Sequence, residues 1–135
     1  MFLLDTNICI YLINQSHASV VEKITTHEPF EIKVSSITVA ELEYGASKSQ
    51  SQGKSRLALL KFLSSFEIVP FGHRDAPFFG SLRSYLERKG TIIGPYDLQI
   101  AAQALSRDLT LVSNNTKEFS RVPKLRLENW VEMIQ

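Results

Sequence analysis

The chain has 135 residues, 44% of them hydrophobic, and a formal net charge of +1, which is one domain's worth of an ordinary globular protein with a single core. No apolar run reaches the roughly 20 residues that cross a bilayer, and the N-terminus opens directly on Phe2-Leu3-Leu4 with no basic region ahead of a long apolar stretch, so neither a membrane span nor a secretory signal is expected. Cys9 is the only cysteine, so no internal disulfide can form, nothing demands an oxidising compartment, and the chain is read as cytoplasmic.

Residues 2–4 are apolar at every position and end at Asp5, the pattern of a short strand covered on both faces. Residues 8–13 follow without turn residues and read as a helix, with Cys9 a buried thiol among Ile8, Ile10 and Leu12. Residues 17–26 read as a second helix capped by Ser16. Residues 31–36, with Ile32 and Val34, read as a second strand. Ser36 or Thr38 is placed to cap the next helix, which passes Glu41 and ends near Ala46. Residues 47–55 are polar and contain Gly53, so a loop or frayed turn is expected there. Leu57, Leu60, Phe62 and Leu63 make a helical stripe, and residues 66–71 a third strand.

In residues 74–88, Phe78, Leu82, Tyr85 and Leu86 recur at spacings of three and four, one face of a helix. Gly90 ends it and Gly94-Pro95 starts the next, a mostly apolar helix over residues 96–107. A fourth strand over residues 109–112, a helical turn at 116–119 and an edge strand with a last turn within 125–134 complete the chain. Strands alternating with helices imply parallel pairing through crossovers. The fold class is therefore α/β, a three-layer α/β/α sandwich around a central parallel sheet, with residues 1–135 as one domain. Ligands in such sheets bind at the carboxyl ends of the strands.

Four acids fall where that crevice should open. Asp5 ends the first strand, Glu41 lies about one turn into the helix after the second, Asp97 is in the first turn after Gly94-Pro95, and Glu118 lies just past the fourth strand. Each alone has an ordinary reading: a cap for Asp5, a helix-dipole partner for Asp97, solvated surface acids for Glu41 and Glu118. Together they are candidate catalytic residues and metal ligands. Carboxylates about 4 Å apart repel by roughly 4 kcal/mol at an effective dielectric near 20, which a fold tolerates when a cation sits between them or one binds a proton. Hard oxygen donors select Mg²⁺, with Mn²⁺ able to substitute. His17, His27 and His73 are isolated in the sequence, which argues against zinc. One or two Mg²⁺ ions can activate a water and stabilise an in-line phosphodiester hydrolysis, with a carboxylate orienting or deprotonating that water. The products would be a 5′-phosphate and a 3′-hydroxyl.

Setting those four acids aside leaves ten acidic residues against fifteen Lys and Arg. An acidic pocket on a mildly basic body suits an enzyme acting on a polyanion, though the same counts fit a mixed, solvated surface. Lys48, Lys54, Arg56, Arg83, Arg88 and Lys89 are candidate phosphate contacts, and none is assigned. Tyr44 and Tyr96 flank site acids and can either stack on a base or pack in the core.

The segments Phe2-Leu3-Leu4-Asp5-Thr6-Asn7, Ser36-Ile37-Thr38-Val39-Ala40-Glu41-Leu42-Glu43-Tyr44-Gly45, Gly94-Pro95-Tyr96-Asp97-Leu98-Gln99-Ile100-Ala101 and Leu111-Val112-Ser113-Asn114-Asn115-Thr116-Lys117-Glu118-Phe119 resemble, in order and spacing, the PIN-domain nucleases. The resemblance is closer to the VapC toxins of bacterial toxin–antitoxin pairs. It implies a PIN-like fold and a metal-dependent endoribonuclease cutting structured RNA, with the anticodon stem-loop of initiator tRNA as the leading candidate. It also implies a cognate VapB-type antitoxin whose tail blocks the crevice, a homodimer, and operator DNA bound only through the antitoxin complex. Many relatives carry Asp at the position of Asn115 or of Glu118, so the fourth role can fall to either residue or be shared. Ser113 stands where a Thr is usual and keeps the hydroxyl. Thr6 and Ser113 can hydrogen-bond the carboxylates or a bound water, and Asn7 can orient Asp5.

Three rivals remain. A haloacid-dehalogenase-like phosphatase needs a second Asp where Asn7 stands. A response-regulator receiver needs a Lys that Ser113-Asn114-Asn115 does not offer. An inactive PIN-like module that only binds RNA or protein would not need all four acids.

Overall fold

The structure is a computed structural model and describes residues 1–131. Five strands, β1 (Phe2–Leu4), β2 (Ile32–Ser35), β3 (Glu67–Val69), β4 (Thr110–Val112) and β5 (Leu127–Glu128), form one sheet in the order β3-β2-β1-β4-β5. Every pairing is parallel. Seven helices connect them: α1 (Thr6–Asn14), α2 (Ala18–Ile24), α3 (Ser36–Lys48), α4 (Gln52–Leu63), α5 (Ala76–Lys89), α6 (Pro95–Ser106) and α7 (Thr116–Phe119).

The strands divide their side chains between two cores. Leu3 and Leu111 lie in register and join Leu82, Leu86, Leu98, Ala101 and Phe119 on the face covered by α5, α6 and α7. Leu4, Val34 and Val112 lie in register one residue on and join Ile8, Cys9, Val20, Leu42 and Leu59 on the face covered by α1 to α4. Burial on both faces is why these strands read as continuous apolar runs rather than alternating ones. The expected three-layer α/β/α sandwich is the observed architecture. Cys9 is fully buried, and burial first, then the Asp5 charge, pushes its thiol well above its ordinary value.

Several boundaries differ from expectation. Helix α1 begins at Thr6 with Asp5 as its N-cap, two residues earlier than the periodicity predicts. Ser16 does not cap α2. Gln15 takes the left-handed conformation at φ 51° and the Ser16 amide returns to the Tyr11 carbonyl, so Ser16 belongs to the closing turn of α1; His17 precedes α2 without a side-chain capping bond, its Nδ1 lying 3.0 Å from the Ser16 hydroxyl. Ser35, not Ser36 or Thr38, caps α3: its hydroxyl accepts from the Ile37 amide at 3.0 Å. The Ser36 hydroxyl instead accepts from the Phe71 amide at 3.1 Å. The expected loop over 47–55 shrinks to residues 49–51, because α3 runs on to Lys48 and α4 starts at Gln52. The polar side chains that read as loop residues bond within this corner instead: Gln52 Nε2 donates to the Ser47 carbonyl and the Ser55 hydroxyl to that of Ser49. The last turn expected in residues 125–134 lies partly outside the described residues. Among the described residues no helix is long and apolar enough to cross a membrane.

Candidate active site

The strand order changes direction beside β1: the chain passes from β1 to β2 and β3 on one side, then crosses to β4 on the other. In open parallel sheets the crevice outside such a switch point is where ligands bind. Asp5 leaves β1 and Ser113 leaves β4 at that place, with the Asp5 amide donating to the Val112 carbonyl at 3.1 Å.

Asp5 is buried, 4% exposed. Its Oδ1 accepts from the Ile8 amide at 3.0 Å, so the cap reading is correct and does not exclude a second role. Burial pushes the carboxyl up, the Ser113 side chain and the Ile8 amide pull it down, and the Glu41 charge pushes it up again; the net direction is upward. Glu41, half-buried on α3, is held by the Thr6 hydroxyl at 2.6 Å. That hydroxyl also lies 3.1 Å from Thr38 Oγ1, and its one proton belongs with the charged acceptor. Glu118 is fixed from two sides, by the Gly94 amide at 3.0 Å and by the Asn115 side-chain amide.

Asp97 links the set. Its carboxyl is raised from 3.8 to about 7, by burial first, then by the Glu118 charge and a side-chain hydrogen bond to Glu118, then by the Asp5 and Glu41 charges. The four acids, from the end of β1 and from α3, α6 and α7, thus stand in one electrostatic neighbourhood. Gly94 lies against both acids: a Cβ there would stand in ordinary contact with them, 3.8 Å from Asp97 Oδ2 and 3.9 Å from Glu118 Oε1.

The supporting residues sort clearly. Thr6 and Ser113 bond carboxylates. Asn115 donates its side-chain amide to Glu118, so the two residues that compete for one role stand in contact. Asn7 is exposed; among the described residues Asp5 is oriented by Ile8 and Ser113 instead. Thr38, fully buried beneath Thr6, reads in the sequence only as a possible helix cap. Its signal was its position three residues before Glu41 on one helix face.

The donor set fits a hard divalent cation. The acids and hydroxyls offer oxygen only. Of the histidines, His17 stacks on Tyr11, and His27 packs against both Phe2 and Trp130. Among the described residues no three His, Cys, Asp or Glu side chains form a ready cage for an ion. Mg²⁺ does not ask for one, since it keeps several waters and binds through one or two carboxylates together with substrate phosphate. A proton on the raised Asp97 carboxyl would ease the same crowding that a cation would.

Of the candidate phosphate contacts, Lys48 and Lys54 line clefts that share Glu41 as a wall. Arg56 pairs with Glu43 at 2.8 Å and Arg83 with Glu87 at 3.7 Å. Arg88 donates to Ser84, and Lys89 lies over the Tyr85 ring.

A family model for the PIN domain matches residues 2–125. The chain is 45% identical over 133 residues to Ribonuclease VapC2 of Rickettsia felis, covering 96% of this chain and 98% of the relative. It is 41% identical over 129 residues to the tRNA(fMet)-specific endonuclease VapC of Shigella flexneri, covering 96% and 97%. Among solved structures, the crystal structure of VapBC2 from Rickettsia felis bound to a DNA fragment from their promoter contains a chain that matches with a TM-score of 0.90. That match is 44% identical and covers 96% of this chain and 98% of that one.

Proposed function

The chain belongs to the PIN-domain family, in its VapC branch, and from that premise we propose that it is the toxin of a type II toxin–antitoxin pair, a Mg²⁺-dependent endoribonuclease that cuts structured RNA and so inhibits translation. The leading substrate is initiator tRNA, cut in the anticodon stem-loop; the Shigella flexneri relative named for tRNA(fMet) supports this choice. The observation that carries the reading is the convergence of Asp5, Glu41, Asp97 and Glu118 at a strand switch point, where burial first, and then the Glu118, Asp5 and Glu41 charges, raise the Asp97 carboxyl to about 7: a nuclease needs such a place to hold a cation against a phosphodiester.

Asp5, Glu41, Asp97 and Glu118 would hold the ion, directly or through water, and Mn²⁺ can replace Mg²⁺ there. When bound, a divalent cation lowers the pKa of the attacking water and offsets charge on the phosphate oxygens. The chain's own part is orientation. Thr6 fixes Glu41, Gly94 and Asn115 fix Glu118, and Ser113 and the Ile8 amide fix Asp5. A carboxylate so fixed can accept the proton of the attacking water without first reorganising.

The partner that fits this role is a VapB-type antitoxin, with operator DNA reached only through the toxin–antitoxin complex and the toxin itself a homodimer. The Rickettsia felis VapBC2 complex on promoter DNA supports the antitoxin assignment. The test is to incubate the purified chain with total tRNA in Mg²⁺ or in EDTA and to sequence the new RNA 5′-ends. Cuts at one position of one tRNA, dependent on Mg²⁺ and blocked by the neighbouring gene's product, are expected. Intact RNA together with phosphomonoester hydrolysis would overturn the reading in favour of a phosphatase.

A further inference from the structure

A cleft of about 590 Å³ opens along one side of Glu41, with Thr6, Asn7, Tyr44, Lys48 and Tyr96 also on its walls. Tyr44 comes from α3 and Tyr96 from the first turn of α6, next to Asp97. Neither ring is in the core: Tyr44 is 65% exposed and Tyr96 56%. Leaving two large rings in water forgoes the burial that usually places aromatic residues inside. Among the described residues Tyr96 has no hydrogen bond and no ring partner, and Tyr44 touches only the Lys48 ammonium, 4.8 Å from its ring centre. Lys48 is itself exposed, with no carboxylate paired to it among the described residues.

We propose that this cleft is the base-binding subsite of the enzyme, in which Tyr44 and Tyr96 stack on unpaired nucleobases flanking the scissile phosphate and Lys48 contacts the backbone beside them. The inference rests on the ribonuclease reading and deepens it. Three features select single-stranded RNA as the occupant. Aromatic rings accept any base face, and unpaired loop bases are the ones that can be splayed onto them. The ammonium at the rim matches a phosphate and would be misplaced against an apolar helix. The cleft shares Glu41 with the acid cluster, so a base seated there sits within a nucleotide or so of the acids. A structured RNA is then cut where its loop offers bases to both rings, which ties the preference for a stem-loop to named side chains.

The test uses an RNA stem-loop with a single 2-aminopurine in the loop, bound to the full chain carrying Asp97→Asn so that the RNA stays intact. Stacking quenches the fluorophore. Tyr44→Ala and Tyr96→Ala should each weaken binding roughly tenfold and remove part of the quench, while Tyr44→Phe and Tyr96→Phe retain both. Lys48→Ala should weaken binding to all sequences alike and reduce the slope of log affinity against log salt by about 0.7, one phosphate's worth on a single strand. Melting temperatures unchanged within error exclude a folding defect at these exposed positions. Affinity and quench untouched by both alanine variants, in a protein whose unmutated form cuts RNA, would overturn the inference and leave the ribonuclease reading standing. Alanine variants that release the antitoxin but bind the stem-loop normally would also overturn it, and assign the cleft to a protein partner. No binding or cutting of any RNA by the unmutated chain would bring down both.

Discussion

The Thr6 hydroxyl donates to the Glu41 carboxylate at 2.6 Å, joining the first turn of α1 to the middle of α3. Thr6 stands immediately after Asp5, so one dipeptide at the end of β1 supplies one acid of the cluster and aims another. Thr6→Val keeps the shape and removes the donor. Activity should fall about 10- to 100-fold, the usual cost of losing a group that orients a ligand, with stability lowered by only about 1 kcal/mol. Thr6→Ser should restore most of the rate. Equal activity in the valine variant would show that Glu41 needs no fixing.

The acids themselves should separate function from stability. Asn caps helices about as well as Asp, so Asp5→Asn keeps the bond to the Ile8 amide and the fold. Above pH 7, where the Asp97 carboxyl is ionised, Asp97→Asn removes a charge from a crowded site and should raise the melting temperature of the metal-free protein. Both should lose at least about 100-fold in cleavage rate, more than a merely supporting residue would cost. Circular dichroism and a cleavage assay on the same samples check this. An active Asp97→Asn would remove Asp97 from the site.

The raised Asp97 carboxyl has a signature without RNA. Unfolded, an aspartate ionises near pH 4; folded, this one does so at about 7. Between the two the folded state keeps a proton that the unfolded state has lost, so metal-free stability from this group is full below about pH 4 and falls as pH rises through about 7. Thermal melts in EDTA should therefore drop more steeply over that window for the unmutated chain than for Asp97→Asn. Saturating Mg²⁺ should raise the melting temperature most at the upper end, because only the ionised site binds it. Parallel pH profiles for the two proteins in EDTA would contradict the raised Asp97 carboxyl.

The backbone of this account was legible in the sequence where local chemistry and fold agreed. Leu3-Leu4 before Asp5 and Leu111-Val112 before Ser113 announced buried parallel strands, and Gly94-Pro95 announced the start of α6. Periodicity gave less at places where side chains bond locally. The serine-rich stretch around Ser47 to Ser55 read as loop, yet it is mostly helix, because its hydroxyls and the Gln52 amide find partners within the corner. Ser16 looked like a cap because nothing in the sequence marks Gln15 as the residue that turns left-handed. The positions of the four acids could be anticipated from topology. Their supports could not, since a contact such as Gly94 to Glu118, 24 residues apart, follows from how α6 and α7 pack rather than from any local pattern.

A second buried charge lies apart from the crevice and should behave differently. Asp75 is fully buried and pairs with Arg107 at 3.3 Å. Burial pushes its carboxyl up, but the Ser106 hydroxyl, the Gly72 amide and the Arg107 guanidinium together hold it below its ordinary value. Its contribution is present above about pH 4 and lost as pH falls, the opposite sense to Asp97. Arg107→Leu leaves the carboxylate without its counter-charge and should cost about 3 kcal/mol in denaturant unfolding, with cleavage by the protein that remains folded unchanged. A neutral effect on stability would show that Ser106 and Gly72 suffice.

The most direct measurement is calorimetric titration of Mn²⁺ into the RNA-free protein above pH 7, for the unmutated chain, Asp5→Asn and Asp97→Asn. Saturable binding to the unmutated chain, accompanied by proton release, is expected, and its loss in both variants. Mn²⁺ binding of undiminished affinity in both variants would place the cation somewhere other than among Asp5, Glu41, Asp97 and Glu118.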